Sequence, residues 1–319
     1  MLQMNNAIRK RFSVAISFGQ ISPCEYISVI DKHKEYIHDV YFSPTESIRY
    51  QTRSKIYDFA STSNDERRLM LEQVLSYSQG NGILCCMTLN APMVDAKEQV
   101  ELFKLYNSLF PIDYLTTTME IAFLIREKGI SIPLVCSYNE AITSKEHLLR
   151  VLNSDLFESV VLGGRFLRDI DCFKLIKGYG RNTILMLNTG CCLNCASFCK
   201  IRSQDYCINL FNRNSKELGV EKMYAIQSVF PEEIRDYYIP SGVIDIYKLA
   251  SRPISCEELD RLLSSYTELK SDIYISQSES NYHLYGRLAY FSKYYENFNY
   301  TSILKHKNNI WQQLVNKFE

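Results

Sequence analysis

IPLVCSYNEAITSKEHLLRVLNSDLFESVVLGG, residues 132–164, holds one complete structural unit of the chain. Its ends, IPLVCS (132–137) and SVVLGG (159–164), are short β-branched runs of strand type, and the stretch between them, TSKEHLLRVLNS (143–154), has the spacing of an amphipathic helix. Two strands joined by a helix pair in parallel, because parallel neighbours need a long crossover and a helix supplies it.

The alternation extends in both directions. Upstream lie FSVAISF (12–18), HDVYFS (38–43), GILCCMTLN (82–90) and DYLTT (113–117); downstream lie NTILMLN (182–188) and VIDIYKLA (243–250). Helical patterns separate them, as in SNDERRLMLEQVLSYSQG (63–80), with Ser63 or Asn64 as the cap and Gly80 as the stop. Eight strands with intervening helices predict an α/β fold, a (β/α)8 TIM-like barrel with room for distortion. An open doubly wound sheet is the alternative. No G-x-G-x-x-G follows the first strand and no G-x-x-x-x-G-K-[ST] occurs, so the common nucleotide loops are missing.

The barrel domain is expected over residues 1–267. Residues 268–319 form a Tyr-, Asn-, Ser- and Lys-rich extension, read as helical, with Trp311, Leu314 and Phe318 at helical spacing. Its tyrosines beside Lys293, Lys305 and Lys307 also offer stacking surfaces of the kind that suit RNA.

The chain has 319 residues, 36 basic and 36 acidic, so no broad charge field favours a nucleic-acid backbone or an anionic membrane. Its first residues carry too short an apolar run for a signal peptide or a span, and a cytoplasmic protein with no membrane partner is expected. Five of the 11 cysteines fall within NTGCCLNCASFCKIRSQDYC, residues 188–207, directly after the seventh strand. In a barrel that position is the C-terminal face, where active sites collect.

Clustered thiols in a cytosolic chain point to metal or redox chemistry. The candidate ligands are Cys191 or Cys192, then Cys195, Cys199 and Cys207. The C-x3-C-x3-C spacing favours a [4Fe–4S] cluster, with zinc as the alternative because Cys192 and Cys195 make one C-x2-C pair. Cys85, Cys86, Cys136, Cys172 and Cys256 read instead as buried structural thiols.

Other groups at strand ends are candidates for lining a pocket. They are Ser43, Glu46 and Arg49 after strand two, Asn90 after three, Thr116 and Thr117 after four, and Ser137, Tyr138 and Asn139 after five. Arg165 follows strand six, and Lys248 and Arg252 come at strand eight; the two arginines are placed to clamp a carboxylate or phosphate. The five histidines are scattered, with no H-E-x-x-H, and no G-x-S-x-G is present, which argues against a peptidase. His38 falls at the wrong end of its strand for a barrel active site.

Two blocks resemble peptidase family U32. They are LMLNTGCCLNC and VFPEEIRDYYIPSGVIDIYKLASRPISCEELDRLLSSY, the second carrying Pro231, Glu232, Lys248, Ala250, Arg252 and Tyr266 at the family's pattern. Looser similarity runs in the same order through residues 12–267. The resemblance implies a barrel with a cysteine-bound [4Fe–4S] cluster, in a family that includes collagenase-like peptidases and iron–sulfur proteins of oxygen-independent hydroxylation. It leaves an RNA, a quinone precursor or another small molecule, or a peptide as the substrate, and suggests a partner protein of the same family. The alternatives are a peptidase or peptide-maturation protease of the same fold and a non-catalytic protein stapled by its metal. The chain departs from the family at Ala196, where a proline is usual, and the segment after strand two has no cysteine, so Cys199 and Cys207 remain as sources of the fourth ligand.

Overall fold

The computed structural model describes residues 7–16, 21–46, 63–91, 94–163, 166–187, 229–249 and 255–270. Eight parallel strands close into a barrel in chain order, the last pairing with the first. They are β1 (Phe12–Ala15), β2 (Ile37–Phe42), β3 (Leu84–Leu89), β4 (Tyr114–Thr117), β5 (Leu134–Cys136), β6 (Ser159–Leu162), β7 (Asn182–Met186) and β8 (Ile246–Leu249). All eight coincide with the runs expected from the sequence, β2 starting one residue earlier at Ile37, and the open sheet is excluded. The strands are shorter than several of those runs, because in a staggered barrel pairing stops where the neighbouring strand ends.

The helices are α1 (Pro23–His33), α2 (Asn64–Gly80), α3 (Ala96–Leu109), α4 (Met119–Glu127), α5 (Lys145–Asn153), α6 (Ile170–Gly178), a composite α7 and α8 (Cys256–Thr267). α7 runs through Pro231–Glu233, a π turn at Ile234–Tyr238 and Ile239–Ser241. Pro240, which cannot donate to the helix ladder, sits just past the widened turn. α1, α2 and α8 start with capping boxes, Ser22 with Glu25, Ser63 with Glu66 and Ser255 with Glu258. Gly80 is the last residue of α2 rather than its stop: Asn81 caps the helix, and Gly82, at φ 64°, makes the left-handed turn into β3.

Strand alternation divides the core in two. One face packs the strands against the helices, with Phe12, Tyr247 and Tyr266 in one aromatic stack. The other face fills the barrel with Ala15, Tyr41, Cys86, Tyr114, Val135, Val161, Ile184, Met186 and Ile246. The interior is apolar at Val135, Val161, Ile184, Met186 and Ile246 of β5 to β8, while β8 also carries the buried Lys248 and β1 to β4 carry Ser13, Asp39, Thr88 and Thr116. A register shift in the β1/β2 pair matches Phe12 to Ile37 but Ser13 to Asp39, leaving His38 as the extra residue of β2. The adjacent Cys85 and Cys86 belong to opposite faces: Cys85 to the helix layer and Cys86 to the barrel interior.

Candidate functional site on the C-terminal rim

The rim begins where β7 ends. Leu187 donates its N–H to the Lys248 carbonyl at 2.9 Å, and Val229 donates to the Leu187 carbonyl at 2.7 Å. The described residues on either side of 188–228 are therefore joined at one point, beside β8. Tyr266 adds a second hold, its hydroxyl donating to the Val229 carbonyl at 2.9 Å. Cys191, Cys192, Cys195, Cys199 and Cys207 belong to that segment and lie outside the described residues, as do Arg49, Arg165 and Arg252. Among the described residues no group of three or more His, Cys, Asp or Glu side chains is placed to hold a metal ion.

Lys248 is inside the barrel. It is the third residue of β8, shares the face of Ile246, and is only 4% exposed. Its Nζ lies 3.8 Å from the centroid of the Tyr41 ring, a cation–π contact. Tyr41 reaches across β1, where the small Ala15 is its register partner, and donates its hydroxyl to the Leu249 carbonyl at 2.6 Å. The ring is thus fixed from both sides of the β1 position.

Cys86 lies in the same interior, its Sγ 3.2 Å from Thr116 Oγ1. Burial pushes this thiol up to about 11, with the Lys248 charge acting in the opposite direction. Cys85 and Cys172 are pushed up to about 12, and Cys136 is also raised, burial being the first cause in each. At neutral pH these four are thiols, not thiolates, which agrees with the structural role expected of them. Cys256 is the exception in burial: it is partly exposed at the first turn of α8, its Sγ 3.5 Å from the Glu25 carbonyl.

Below this level Asp39 is fully buried. It accepts Ser13 Oγ at 2.6 Å and His38 Nδ1 at 2.9 Å. His38 thus belongs to the N-terminal half of the barrel, away from the rim.

Hydroxyls and amides line the rim along β2 to β5. Ser43 and Thr88 share a hydrogen bond of 2.6 Å; Asn90 donates to Ser137 Oγ at 2.7 Å, and Asn139 donates to the Asn90 carbonyl at 2.9 Å. Thr117 is turned to the Leu89 carbonyl at 3.0 Å. Glu46 is engaged on every side: Arg68 pairs with it, Tyr106 donates at 2.8 Å and Thr45 at 3.2 Å. Burial alone would raise its carboxyl, but the Arg68 and Tyr106 hydrogen bonds outweigh that and hold it below the ordinary glutamate value. It stays a carboxylate and ties the end of β2 to α2 and α3.

No family model and no curated protein sequence matches the chain. Among solved structures it is similar to a U32 peptidase, at 10% identity over 76% of this chain and 92% of that one, with a TM-score of 0.44. It is also similar to a β-N-acetylhexosaminidase from Bacteroides fragilis, at 11% identity over 91% and 71%, with a TM-score of 0.45. An adenine deaminase from Arthrobacter aurescens is similar at 8% identity over 85% and 80%, with a TM-score of 0.38. None of these likenesses assigns a reaction.

The sequence reading did not separate Cys86 from Cys85 or single out Tyr41, which the closed barrel places in its interior. Nothing local in the sequence signals the buried pair Arg168 and Glu233, which joins the β6–α6 connection to α7.

Proposed function

We propose that this barrel is an enzyme working at its C-terminal rim, with an iron–sulfur centre held by cysteines of the segment after β7. In this reading it carries out oxygen-independent hydroxylation, or a related modification, of a small molecule, an RNA or a peptide. The observation that supports it is the pair of hydrogen bonds at Leu187, which root both ends of the thiol-bearing segment at the rim, next to the strand that carries Lys248.

The donor set fits such a centre: five thiols and no histidine within residues 188–207. Cys191 or Cys192, with Cys195, Cys199 and Cys207, would hold it. When bound, the centre supplies Lewis-acidic iron or single electrons. The chain's own contribution is Lys248 of β8, a polar lining from Ser43, Thr88, Asn90 and Ser137, and the apolar interior side chains Val135, Val161, Ile184 and Ile246.

Proteolysis has less support. Among the described residues the histidine rings hydrogen-bond to carboxylates, His33 to Asp260, His38 to Asp39 and His147 to Glu140. None touches a hydroxyl or thiol nucleophile.

Anaerobic purification with iron and sulfide analysis tests the proposal. A brown protein with broad visible absorption, bleached by Cys195→Ser but not by Cys172→Ser, is expected. A colourless protein holding one zinc would overturn the cluster. A deletion strain whose RNA keeps every modification would remove RNA from the substrates.

A further inference from the structure

We propose that Lys248 anchors an anion site inside the barrel mouth, which receives the carboxylate head of a small substrate as an ion pair and not as an imine. The proposal takes the location of the reaction from the reading above and adds a substrate class to it. It needs no metal.

The argument starts from an imbalance. Lys248 is buried, yet among the described residues no carboxylate pairs with its ammonium and no hydrogen-bond acceptor meets it. A buried cation without a counter-ion is costly, and proteins ordinarily supply one. Its neighbours across the strand ladders are Met186 on β7 and Ser13 on β1. Asp39, the buried carboxylate of the same interior, is turned to Ser13 and His38 instead. The Tyr41 ring covers one side of the ammonium, and its hydroxyl is spent on the Leu249 carbonyl. That contact uses the face of the ring and leaves the N–H donors with no acceptor among the described residues.

The ligand class follows from the charge. One ammonium balances one carboxylate, and phosphate, which takes several donors, is the competing outcome of the test.

The test is thermal denaturation of the full chain titrated with pyruvate, benzoate and inorganic phosphate at constant ionic strength. Saturable stabilisation by a carboxylate and none by phosphate is expected, with Lys248→Met weakening half-saturation by about ten-fold or more. Ligand-free Lys248→Met should melt higher than the parent, because it removes a buried ammonium that no described carboxylate balances. A variant that melts lower would make Lys248 a structural residue and overturn the proposal. So would equal carboxylate response in both proteins, preference for phosphate, or a borohydride-trapped pyruvate adduct. Iron is assayed on the same samples, so loss of the cluster reading and loss of the anion site are separate results.

Discussion

Arg168 grips Glu233 with two parallel hydrogen bonds, Nε to Oε2 at 3.1 Å and Nη2 to Oε1 at 2.6 Å, at a site where the carboxylate is fully buried. The pair spans 65 positions of sequence and fastens α7, which follows the cysteine segment, to the connection after β6. Removing one partner strands the other charge in the core. Arg168→Leu is therefore expected to cost about 3–5 kcal/mol. Arg168→Leu with Glu233→Leu should recover most of that loss, and urea denaturation of the single and double variants measures it. A single variant as stable as the parent would show that the pair contributes no anchoring.

A second joint closes the ring of helices. His33, the last residue of α1, is buried and lies 2.8 Å from Asp260 of α8, which also pairs with Lys32 at 2.7 Å. Burial lowers the His33 pKa below its ordinary 6.5, the Asp260 hydrogen bond acting the other way. A depressed histidine keeps its full contribution above the unfolded pKa; as pH falls, the unfolded chain takes up the proton first and stability is lost. The urea midpoint should fall as pH drops below about 6.5. His33→Gln should flatten that slope, and an unchanged slope would assign the pH dependence to other groups.

The eight strands were legible because each is a short apolar run bounded by helical periodicity, and period is a local property of sequence. Partnership is not. Lys248 could be placed on the eighth strand, but that no described carboxylate pairs with it depends on where β1, β2 and β7 direct their side chains. Cys85 and Cys86 look alike in the sequence, and only the closed barrel gives the inner face a distinct meaning. Glu46 reads as a free rim carboxylate because Arg68 and Tyr106 come from α2 and α3, 22 and 60 positions away. The candidate cysteine ligands, Arg165 and Arg252 lie outside the described residues, and of these only the cysteines enter the proposed function.

Glu46 gives a third prediction. With three donors on its carboxylate, it acts as a clamp at the end of β2. Glu46→Gln is expected to cost about 1–2 kcal/mol in urea denaturation, within the range for hydrogen bonds to a charged group. Because the carboxyl is held below its ordinary value, its contribution is complete above about 4.5 and lost as pH falls through the folded value. The cost of Glu46→Gln should accordingly shrink in acid. A cost that stays constant to low pH would mean the ionised form is not what the site holds.

The distribution of thiols also decides which cysteines remain for a metal. Cys85, Cys86, Cys136 and Cys172 are buried with raised pKa values, whereas Cys24 is exposed at the start of α1. Alkylation proceeds through the thiolate on an accessible sulfur, so native protein treated with iodoacetamide should be labelled at Cys24 and spared at those four until it is unfolded. Peptide mapping by mass spectrometry reads this directly. A bound metal should then protect only sulfurs of the 188–228 segment, because in the native fold the four buried thiols are neither ionised nor gathered with other ligands. Metal-dependent protection of Cys86 would contradict this, since it would require the barrel interior to open and Lys248 to stabilise a thiolate that burial now suppresses.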